Sequence, residues 1–595
     1  MRIARSAIST WLALLALAIG CAELHPAVAQ ESWNPFKSQS ERERNRRPRA
    51  DDGATPSPPL PRERPTVPAS EQPLPRPPAR GGVERSELAP IMAPDTSGLP
   101  LELWRGLDLK TLEGLLAGLE LPPRSPAIHQ LWRRLLLSTA TPPAGAPNDE
   151  HFVALRLEAL YRSGLLEDMD AVLKDLPAPG PVVEMLRARR DIGLGQRETG
   201  CQTIKALAAP SSRLPGRLKG ETQLLAGYCA AVADDAHGAG LAGKLDREEG
   251  VEAELPLAVL AAHAAGDKPR LTLPKRVLLL DYRFLELLGP LDPTRIFDKA
   301  EPALLVTLAG DPQSDLRLQI AAAEAALKAN ALSPAAVAKL YRSLSLSGRA
   351  AADPAAPGTD PLLRRALFFQ AAEVARAPGQ RARFLQAIIE DARRSGSFLQ
   401  TAAVVAPLLA GVQPSRELSP YAQGLVEMSL AAGEFSQARQ WAESADLWPW
   451  VALVDIADPE RRGGRLRSLG AMEDLAVRGR LGPEALHKLA TVLDALDIDV
   501  PIQIWDAANR TPQSSSGYLP ETGILADLAQ SSRRNDAGRT ILLVMRTLGP
   551  GGSDGANLLA LGDAIRALKR LGLEADARRL GLEALLPVWP RAAAN

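Results

Sequence analysis

From Leu99 to the end of the chain, apolar residues recur at helical spacing in one short segment after another. Segments 102–119, 126–138, 150–163, 166–176 and 182–192 show it, and 362–375, 382–394, 421–432, 436–445, 556–571 and 575–586 continue it. Gly or Pro stands in most of the gaps, where helices stop. Period-2 alternation is nearly absent. The best strand candidate is 540–545 (TILLVM), which equally fits a turn of buried helix. About twenty antiparallel helices in a row cannot share one core. The pattern therefore predicts an all-α fold: an α-solenoid of stacked antiparallel helical hairpins, coiled as a curved rod, each pair packed on its neighbours. Aromatics are only 4% of the chain against 46% for all hydrophobic types. The core must then be mostly Ala, Leu and Val, which suits closely packed helices better than a β-sandwich.

The front of the chain follows other rules. Residues 1–29 read as a secretory signal: Arg2 and Arg5 precede an apolar run at 11–19, and Ala27 and Ala29 form an A-x-A cleavage site. Cleavage there starts the mature chain at Gln30. An alternative reading uses Cys21, because Ala18, Ile19, Gly20 and Cys21 resemble the lipobox of bacterial lipoproteins, with Ala where Leu is usual. No later segment is long enough and free enough of charge, Gly or Pro to span a membrane. Between 30 and 98 Pro occurs 14 times, and only Trp33 and Phe36 are aromatic. Such a stretch buries too little apolar surface to offset its ordering entropy, so it reads as a disordered, polyproline-prone tether. PRERP (61–65) and PLPRPP (73–78) within it could also serve as ligands for an aromatic groove. The body then divides into 99–348 and 362–595 around a hinge at 349–361, with a second polar loop at 508–522.

Two hairpins repeat a spacing of small residues. Gly433 is followed by Ala438 and Ala445, and Gly572 by Ala577 and Ala584. The Gly permits the turn, and the two Ala residues, two helical turns apart, let helices approach closely. This spacing resembles the second half of a tetratricopeptide repeat. Gly164 opens a poorer match, with Met169 where Ala belongs, and the family's Trp and Gly in the first helix have no clear counterpart. The resemblance covers about two hairpins and implies a helical-hairpin solenoid that serves as a protein-binding scaffold. It implies no catalytic residue.

Motifs for chemistry are weak. Gly238, Gly240 and Gly243 match G-x-G-x-x-G, but no strand precedes them, so small residues packing one helix on another are the better account. Gly551, Ser553 and Gly555 match G-x-S-x-G, but no His follows His487, so the hydrolase order fails. Ser553 reads instead as the N-cap of a helix beginning near Gly555. Asp234, Asp235 and His237 lie in one turn and read as a solvated acidic turn rather than the start of a metal site. Trp441, Trp448 and Trp450 fill a repeat core or form a binding platform. Cys201 and Cys229 stand 14 residues either side of Pro215, in the loop 209–217. Positions equidistant from a hairpin turn face one another, so a disulfide is expected in an oxidising compartment.

Lys+Arg is 70 and Asp+Glu is 70, a formal charge of zero. That argues against a generic nucleic-acid binder. With Cys at 3 and His at 6, no metal framework or cofactor is expected. The sequence therefore predicts a non-enzymatic, exported helical-repeat scaffold for protein–protein interaction in a bacterial cell envelope, placed in the periplasm. Arg outnumbers Lys 57 to 13, as in a GC-rich bacterium. Two alternatives stand beside it: a peptidoglycan-associated accessory or degenerate protein like the superhelical part of lytic transglycosylases, and an outer-membrane lipoprotein anchored through Cys21.

Overall fold

The computed structural model describes residues 98–591, apart from 147–148, 177, 209–213, 249–252, 268–270, 346–359, 362, 461–465 and 514–515. The signal and its cleavage residues Ala27, Ala29 and Gln30, the lipidation alternative Cys21, the tether, and nearly all of the hinge at 349–361 lie outside the described residues.

The described residues form helices without a strand; three isolated bridges are the only β pairing among them. Elements match the sequence rhythm closely, as at Pro181–Gly193, Ala422–Ala432, Phe435–Ser444, Leu558–Arg570 and Glu574–Leu585. Their starts follow capping chemistry. Ser125 accepts from the Ile128 amide ahead of Pro126–Leu137, and Asp315 and Ser333 do the same for Leu316–Lys328 and Pro334–Ser343. Their ends use left-handed residues. Gly433 (φ +82°) and Gly572 (φ +77°) close the two hairpins noted above, while Asp234, Asn330, Asp446, Asp497 and Asn535 do the same job without Gly. Those Asx stops are why several turns lack a Gly or Pro signal.

One predicted start was too early. Gly106 (φ +73°) interrupts the segment that reads as helical from 102, and the helix is Leu109–Ala117, capped by Asp108. TILLVM lies inside the helix Ala537–Leu548. Ile541, Leu542, Leu543 and Val544 are all buried there, so the run has no polar face to mark its period.

Consecutive helices pack as pairs, among them 197–208 on 216–232, 302–310 on 316–328 and 422–432 on 435–444. Ala438, Ala577 and Ala584 are fully buried at these contacts. Ala445 is not on that face: the helix ends at Ser444, and Ala442 takes the buried place. Trp441 and Trp450 fill the core, whereas Trp448 is half exposed.

The path departs from an open rod. Helix 126–137 packs on 574–585, 109–117 on 537–548, and 334–343 on 398–409 across the 349–361 segment. The first helices of the body thus lie against its last. Close approach is built into Gly538, whose amide donates to the Leu103 carbonyl at 2.8 Å. A Cβ there would stand 2.6 Å from that oxygen and 2.9 Å from the Trp104 ring. Gly538→Ala should cost about 1–3 kcal/mol by overpacking, read as a lower urea midpoint with an unchanged slope. A midpoint equal to the parent's would contradict this packing. No helix among the described residues is long and apolar enough to cross a membrane.

Candidate functional site

The seam where the first and last helices of the described residues meet gathers the most distinctive chemistry. Ser125 and Pro126 start the helix 126–137, leaving amide hydrogens without intrahelical partners. Glu583, on 574–585, supplies them. Its Oε1 accepts from the Ala127 amide at 2.6 Å. Its Oε2 accepts from the hydroxyls of Ser125 and, at 3.4 Å, Ser553. A carboxylate from the end of the body thus caps a helix at its beginning. Arg134 pairs with Asp576 at 2.6 Å, and Arg579 donates to Gln130, adding two polar ties across the same contact.

Glu583 is buried, and burial pushes its carboxyl from 4.5 up to about 7, against the pull of the Ser125 hydroxyl, the Ala127 amide, Arg579 and Ser553. Nearby His129 is driven down to about 4 by burial and by Arg133. A carboxyl that holds its proton more tightly folded than unfolded stabilises fully below about pH 4.5 and loses that contribution as pH rises to about 7. Glu583→Gln removes this dependence. The stability of the variant relative to the parent should therefore rise between pH 5 and pH 8, by on the order of 3 kcal/mol. Urea titrations at the two pH values measure it, and an identical difference at both would refute the assignment.

Beside the latch opens a cleft of roughly 200 Å3. One wall is the connector that includes Leu119, Pro122, Pro123 and Arg124; the other includes Met545, Arg546, Leu548 and Gly549. Tyr518 closes one side. It is fixed by its own backbone, its amide donating to Gly555 at 2.8 Å and its carbonyl accepting from Asn557 at 2.9 Å. Gly549 (φ +66°) lies directly under the Tyr518 ring, where any Cβ would overlap the ring. The polar loop 508–522 therefore contributes an anchored aromatic.

The other sequence candidates fall as follows. The disulfide Cys201–Cys229 is present, joining Arg197–Ala208 to Gly216–Val232 with Cα atoms 5.6 Å apart. Gly240 of G-x-G-x-x-G lies inside the helix Ala236–Glu248, where a Cβ would be 3.3 Å from Ala264. Asp235 caps that helix, accepting from Gly238 at 2.9 Å, and His237 is exposed beside it. Ser553 is not an N-cap. It sits buried in the short turn Gly552–Gly555, and the following helix starts at Leu558 with Asn557 as its cap. Its hydroxyl belongs to the Glu583 latch.

Sequence reasoning missed Glu583 and Arg546. A lone carboxylate in the apolar run LGLEALL was the available signal for the first. Comparison with protein-family models, curated proteins and solved structures returns no match.

Proposed function

We propose that this chain is an exported, non-enzymatic helical-repeat scaffold, similar in its hairpins to tetratricopeptide proteins, that binds protein partners in a bacterial cell envelope. The observation that carries this reading is the body itself: paired helices packed in series expose helix faces and connectors over a long path, the arrangement repeat proteins use for distributed recognition. The Cys201–Cys229 disulfide supports an oxidising compartment such as the periplasm. The Pro-rich stretch before Gly98 supports a tether that holds the body away from its point of attachment.

The test is affinity capture from native envelopes with the disulfide-intact chain, followed by reconstitution with each captured protein after purification. A stoichiometric complex that co-elutes on size exclusion supports the scaffold. Cleavage of purified peptidoglycan by the chain alone would replace it with an enzymatic reading.

A further inference from the structure

We propose that the cleft at the seam receives an extended, apolar peptide segment bearing an acidic side chain, supplied by a protein partner, with Arg546 as the counter-charge. This rests on the scaffold reading above and names the partner's chemistry. Arg546 stands in the last turn of 537–548, half-buried in the cleft wall. It makes no hydrogen bond or ion pair with a described residue. Its guanidinium lies across Gly118, where a Cβ would sit 3.6 Å from Nε.

The other charges at the cleft cancel. Arg124 pairs with Glu120 at 3.6 Å, both largely exposed. Arg546 therefore leaves one positive charge facing a concave surface. Beside these charges and the Ser125 of the helix start, the lining contributes apolar surface from Leu119, Pro122, Ile128, Met545 and Leu548 together with the Tyr518 ring. A guanidinium beside apolar walls attracts a carboxylate more strongly than one in open water, and its fork accommodates both oxygens. An anchored tyrosine beside apolar side chains forms an aromatic-edged groove of the kind into which extended peptides dock. Charge and lining together select an acidic residue flanked by apolar ones.

The experiment displays a random heptapeptide library on phage and selects it in parallel on the full chain and on its Arg546→Gln variant. Enriched peptides are then measured by fluorescence polarisation. The expected result is enrichment of Asp or Glu among apolar residues on the parent only. Binding should weaken at least about tenfold with Arg546→Gln, and equally when the peptide's acid is replaced by its amide. It should also fall with salt, while circular dichroism and melting temperature of the variant stay at parental values. Tyr518→Ala should weaken binding as well. Enrichment that survives Arg546→Gln overturns the cleft and leaves the scaffold reading intact. So does self-association abolished by Arg546→Gln, or competition by acetate as strong as by the peptide. Enrichment on neither protein also overturns the cleft, and the envelope capture then decides the scaffold reading by itself.

Discussion

Arg189→Leu lowers the unfolding free energy by about 3–5 kcal/mol, the cost of breaking a buried ion pair from one side. Arg189 belongs to Pro181–Gly193 and is only 5% exposed. It donates to Glu158 of the preceding Asp149–Arg162 and, at 3.2 Å, to Glu221 of Gly216–Val232. Its guanidinium also stacks 4.3 Å from the centre of the Tyr161 ring. One cation thus ties three helices that are not consecutive. Removing it takes away the guanidinium that Glu158 and Glu221 both accept from. Replacing all three charged residues by Leu or Met should recover most of the loss, because the pair's attraction and its desolvation nearly offset each other. Chemical denaturation of the single and triple variants measures both. A single variant within 1 kcal/mol of the parent would show that water reaches this cluster.

Reducing the Cys201–Cys229 disulfide costs roughly 3–4 kcal/mol, because the bond closes a loop with a sequence separation of 28 and removes that much entropy from the unfolded chain. Reductant should lower the melting temperature of the parent. The same reductant should leave a Cys201→Ser/Cys229→Ser double variant unchanged, already at the reduced value. Both cysteines sit on helices that pack on one another, Arg197–Ala208 and Gly216–Val232, so the reduced form retains the hairpin and the loss appears as stability rather than as lost helix by circular dichroism. Equal melting temperatures for oxidised and reduced parent would refute the stabilising role.

The candidate site was legible only in part. Ser125 followed by Pro126 is a helix start on local grounds, because an N-cap hydroxyl and a proline without an amide hydrogen both suit the first turn. What its free amides bind is not local: Glu583 lies 456 residues from Ala127. Ser553 shows the same limit. Its motif invited a nucleophile or a cap, yet its partner is fixed by a helix that periodicity cannot bring to it. Arg546 reads as an ordinary basic residue in a last turn. Its isolation from carboxylates is a property of the packed wall around it.

The sequence by itself determined the helices, most of their ends, the pairing of neighbours and the cysteines that face one another. Each depends on residues within a few turns: burial repeats every 3.6 residues, and Gly, Pro or a capping side chain sets the stop. Tertiary structure alone decided that helix 126–137 meets 574–585. Small rotations between successive hairpins accumulate over the whole path, and no local pattern records their sum. Gly538, Glu583 and the seam cleft take their roles from that meeting.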